Sequence, residues 1–157
     1  MNWPSVLLWG LLATGLLTTL MSVAQAFGYT RIDVPFMLGT IFTADRDWAK
    51  AVGFVVHFIN GWLFSILYVG FFKEFGFTSW WLGALMGISH GAFVLIVVLP
   101  LLPGGHPRMA SEFWGPQPTR LLEPPGFLAL NYGYQTPLVT MLAHLAYGMV
   151  LGAFYKL

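Results

Sequence analysis

Four uninterrupted apolar runs, each long enough to cross a bilayer as a helix, constrain this chain more than any other feature of its sequence. About twenty residues of helix span the hydrocarbon core of a membrane, and the runs cover residues 5–27, 51–72, 79–102 and 137–155. None of the four contains Asp, Glu, Lys or Arg. In lipid each backbone N–H and C=O must find a partner within the chain, which a helix provides for itself, and the runs lack the alternation of a barrel strand. A soluble four-helix bundle would need polar outer faces that these segments do not have. Hydrophobic residues make up 57% of the chain and charged residues 8%, with a mean hydropathy of +0.73. The expected fold is therefore an all-α membrane protein with one transmembrane domain over residues 1–157: four transmembrane helices in a compact bundle, with interfacial segments in the two long loops and a cap over about residues 103–136.

The net charge of +1, without a basic run, gives no reason to expect a nucleic-acid partner. The absence of cysteine excludes disulfides, iron–sulfur clusters and thiolate metal sites. Ala24-Gln25-Ala26 resembles a signal-peptidase site, but no Lys or Arg precedes the apolar run, so the first span is expected to be retained. Four spans place both termini beside the short loop at Lys73 and Glu74. Raw numbers of basic residues favour the long-loop side as cytoplasmic, through Arg31, Arg46, Lys50, Arg108 and Arg120 against Lys73 and Lys156. Basic density per residue points the other way, and cytoplasmic termini are the expectation adopted.

Small residues recur every fourth position in every span. The first carries Gly10, Thr14, Thr18 and Ser22, and the third Gly83, Gly87 and Gly91. In the second and fourth spans the stripe begins on a histidine: His57, Gly61, Ser65 and His144, Gly148, Gly152, each followed three residues later by a tyrosine. Such stripes let membrane helices approach closely. The shared spacing, together with Val34-Pro35-Phe36-Met37 echoed by His106-Pro107-Arg108-Met109, suggests a duplicated helical hairpin, residues 5–75 and 79–157, whose halves share one orientation.

The same repeat sets His57 and His144 at one depth, with His90 near the middle of span three and His106 in the loop on the His57 side. Ionisable groups in a membrane point to the bundle interior. The plainest role is one interhelical hydrogen bond for each neutral imidazole, to partners such as Asn60, Ser89, Thr14 or Tyr147. A sharper role is ligation: His57, His144 and His90 around a haem or chlorophyll-type pigment, or His57, His144, His106 and Asp33 around a metal ion. No HExxH or Ser/His/Asp arrangement is present, so an enzyme is not expected. A small oligomeric transporter, or a protein that binds lipid or quinone in an aromatic-lined groove, are further alternatives.

The loop Asp33-Val34-Pro35-Phe36-Met37-Leu38-Gly39 and the helix HFINGWLFSILY resemble a group of uncharacterised small bacterial integral membrane proteins with four predicted helices. The similarity covers most of residues 10–100 and implies the fold and a bacterial inner-membrane location, with no activity to carry over. The insertion from Ala110 to Thr136 departs from that pattern and suggests a docking surface. The functional expectation is a noncatalytic accessory or structural subunit that docks to a larger membrane complex of respiratory or photosynthetic type, surrounded by membrane lipids and other integral membrane subunits.

Overall fold

The computed structural model describes residues 1–111 and 122–157. Six α-helices follow one another: α1 (Trp3–Ala26), α2 (Val34–Gly39), α3 (Arg46–Phe75), α4 (Trp80–Phe93), α5 (Leu99–Gly105) and α6 (Thr136–Phe154). A π turn over Val94–Val98 joins α4 to α5, and a 3-10 segment, Phe127–Tyr132, precedes α6. Four helices are long and apolar enough to cross a membrane, counting Trp80–Gly105 as one, and they pack together. The expected all-α bundle and its four spans are therefore present. Arg120 and most of the Ala110–Thr136 insertion's first half fall in residues 112–121, outside the described residues.

Local chemistry sets the helix ends. Asn2, Asp33, Asp45 and Ser79 each cap a helix by accepting from a backbone N–H of the first turn, with Asp45 Oδ1 taking Trp48 N at 2.9 Å. Pro4, Pro35 and Pro137 stand in first turns, where no N–H is needed. Gly76, at φ 77°, stops α3 in the left-handed conformation that glycine adopts without strain. The π turn has a cause in the sequence as well. Pro100 has no N–H to give the Ile96 carbonyl and its ring crowds that carbonyl, and the preceding backbone widens so that Leu99 N bonds Val94 O, five residues back.

The stripes close the bundle from inside. A Cβ on Gly61 would strike the Thr14 side chain, and one on Gly10 would strike Ser65, so α1 and α3 meet along this line. Gly83 and Gly148 would each drive a Cβ into the other's carbonyl oxygen, Gly87 one into the His144 carbonyl, Gly91 one against the His144 side chain, and Gly152 one into Ser79 O. This second seam brings α4 and α6 to backbone contact. Between the hairpins α1 packs on α6, with Trp9 stacked on Phe154 at 4.7 Å. The fourth side is different, because α3 and α4 stay apart and are bridged by rings: Phe64 stacks on His90 at 4.1 Å.

A contact the sequence did not suggest joins α2 to α3. Gly39 lies so close to Ala49, and Gly53 to Pro35, that a Cβ on either glycine would meet backbone oxygen. The echoed VPFM and HPRM segments take different conformations: Val34–Met37 is helix, whereas His106, extended as a residue before proline should be, leads into a turn and the parallel bridge from Met109 to Leu122. The termini do share one end. Asn2 N donates to Tyr155 Oη at 3.2 Å and Lys156 N to Ser5 Oγ at 3.4 Å. Exposed Trp3, Trp80 and Trp81 lie at this end and exposed Trp48 and Tyr134 at the other, as aromatic residues do at the two interfaces of a membrane. Exposed Leu, Val and Phe side chains between them suit contact with lipid.

Candidate functional site

Two packed clusters leave a gap between them. Val6, Phe72, Tyr147, Leu151 and Tyr155 belong to a core toward the termini, and Ile32, Met37, Leu95, Leu99, Met109 and Ala129 to a second core under the long loops. Between the two lies a cavity of about 180 Å³, bounded by α1, α2, α3, α6 and the π turn. Its walls are largely apolar, with Met21, Leu38, Phe64 and Val98 among them. His57, Asn60, His90, Thr140, His144 and Asp33 also line it, so three of the four histidines and the loop aspartate border one cavity.

Each polar group has a particular state. His144 Nδ1 stands 2.8 Å from the carbonyl oxygen of Thr140, one turn back, so Nδ1 holds the proton and the lone pair of the neutral ring resides on Nε2. His90 Nδ1 lies 3.3 Å from the Tyr68 hydroxyl, and its ring meets His144 edge-on at 4.8 Å. Tyr147, 1% exposed, donates to Gly61 O at 2.5 Å. Of the partners expected for the imidazoles none is used: His144 turns to its own helix and His90 to Tyr68. Thr140 Oγ1 is buried without any hydrogen-bond partner. Among the described residues, His57 and Asn60 side chains have none either.

His106 lies elsewhere. Its Nε2 donates to Met37 O at 3.0 Å with Thr40 Oγ1 at 3.3 Å, and its Nδ1 accepts from Arg108 N at 3.1 Å. Both nitrogens are occupied in tying the two long loops together, and burial pushes this imidazole below its usual pKa. It cannot join His57, His144 and Asp33 around a metal, and Asp33 gives one oxygen to cap Phe36 N at 2.9 Å. Among the described residues no group of three or more His, Asp or Glu side chains is arranged to hold a metal ion. A haem or chlorophyll-type macrocycle also fails to fit. A cavity of roughly 150 Å³ accepts a single benzene ring, and the space here is about 180 Å³.

Thr140 and the π turn escaped the sequence reading. A threonine in an apolar helix ordinarily bonds a carbonyl one turn back, as Thr14, Thr18 and Thr19 do, and nothing in the sequence sets Thr140 apart. Pro100 was the one available sign of the π turn. No family model, curated protein or solved structure matches the chain, so the resemblance to small four-helix bacterial membrane proteins rests on its two motifs.

Proposed function

We propose that this integral membrane protein is a noncatalytic binding protein that holds one small, mostly apolar molecule inside its bundle, the lipid- or quinone-binding alternative of the sequence reading. One observation carries the proposal: a largely apolar cavity among the four spans, lined by His57, Asn60 and His144, where the His57 ring, the Asn60 amide and His144 Nε2 make no hydrogen bond among the described residues. Unsatisfied polar groups are costly in a membrane interior, and a ligand with its own polar atom would relieve that cost. The noncatalytic reading is supported by the pairing of the defined groups, since His144 and Tyr147 bond backbone carbonyls and His90 a tyrosine. Native mass spectrometry of protein extracted in mild detergent tests it. A bound species of a few hundred daltons is expected, and a ligand-free mass together with no stabilisation by any lipophilic probe would overturn it.

Docking to a larger respiratory or photosynthetic-type complex would run, on the sequence reading, through the small-residue stripes and the long-loop cap. The glycines of those stripes are engaged in the internal seams, so a partner subunit would meet the lipid-facing side chains or the long loops, and co-purification tests this. The two seams also support descent from a duplicated hairpin: Gly10 meets Ser65 and Thr14 meets Gly61 in one, and in the other Gly83 lies between Gly148 and Gly152 and Gly87 between His144 and Gly148.

A further inference from the structure

Resting on the binding reading above, we infer that the cavity selects a neutral one-ring head group bearing a hydroxyl, of phenol or hydroquinone type, over ethers, hydrocarbons and anions of the same size. Size comes first: about 180 Å³ is one substituted aromatic ring and no more. Hydrogen-bond polarity comes next. Because Nδ1 of His144 gives its proton to Thr140 O, Nε2 presents a lone pair and asks for a donor. The Thr140 hydroxyl is buried and covered, so His144 Nε2 is the group that sets the choice. His144 lines the cavity from α6. A hydroxyl can donate to it, whereas a quinone carbonyl or an ether can only accept. Charge decides the rest. Among the described residues no Lys or Arg lines the cavity, and Asp33 does, so a carboxylate head would be desolvated beside a negative group. For a reduced quinone the hydroxyl ring would be the part held, with any tail reaching toward lipid.

The test is thermal stabilisation and titration of purified protein in detergent with 4-methylphenol, methylhydroquinone kept reduced, 4-methylanisole, toluene and 4-methylbenzoate. The two hydroxylic probes should bind about tenfold more tightly than 4-methylanisole or toluene, the equivalent of one net hydrogen bond, and 4-methylbenzoate should not bind. Methylhydroquinone exceeding 4-methylphenol identifies a quinol-type source, and equality identifies a single phenolic hydroxyl. His144→Phe should erase the preference and leave toluene binding intact. In protein labelled with ¹⁵N-histidine, the His144 Nε2 resonance should move upfield with 4-methylphenol and stay with toluene, a readout that needs no variant. Equal binding of phenol, anisole and toluene would overturn this inference and leave the binding function standing. Failure of all five probes would remove both.

Discussion

A histidine inside a bundle is costly unless its polar atoms find partners, and three of the four histidines here find them in different ways. His144 uses its own helix, His90 uses Tyr68, and His106 uses two loops. The spacing that singled out His57 and His144 was sound as a guide to location, because a stripe every fourth residue must lie on one helix face. It could not say which nitrogen would carry a proton, since that depends on which carbonyl or hydroxyl lies opposite. Tyr147→Phe removes one buried bond to Gly61 O and should lower stability by about 0.6 to 1.7 kcal/mol, measured as reversible unfolding in mixed micelles. For His106 burial holds the folded pKa below the ordinary histidine value of 6.5, so the unfolded chain binds more protons just below that pH. Its stabilising contribution is complete above about pH 6.5 and is lost as pH falls from there toward the folded pKa. Thermal unfolding followed from pH 7 to 5 should show this decline, and His106→Gln should flatten it.

At the scale of elements, glycine position separates seam from surface. Gly148 faces the Gly83 carbonyl, while Gly15 and Gly70 have nothing within 4 Å of a built Cβ. Gly148→Val should destabilise by about 1 to 3 kcal/mol through overpacking, whereas Gly15→Ala should cost nothing, as judged by melting temperature in one detergent. The helices were legible because lipid imposes a length and an apolar composition that leave few alternatives. The pairing of α2 with α3 through Gly39 and Gly53 was not, because two glycines fourteen residues apart reveal nothing until the loop folds back.

For the whole molecule, both termini and the Phe75–Trp80 turn share one end, and α2 and the 3-10 segment share the other. The natural chain has no cysteine, so single cysteines introduced at Asn2, Lys156, Asp45 and Tyr134 can be labelled one at a time with an impermeant maleimide in sealed vesicles. The first two should react from one side and the last two from the other; a split within either pair would overturn the topology. The sequence by itself determined that this chain is a four-span helical membrane protein, where the spans lie and which faces carry small residues, because each follows from hydrophobic length and helical period. Only the tertiary structure decided that the stripes close on one another, that α3 and α4 are held apart by rings, and that a cavity lies between two cores. Those outcomes depend on which side chains meet across helices far apart in the chain, and a local pattern carries no record of its eventual neighbour.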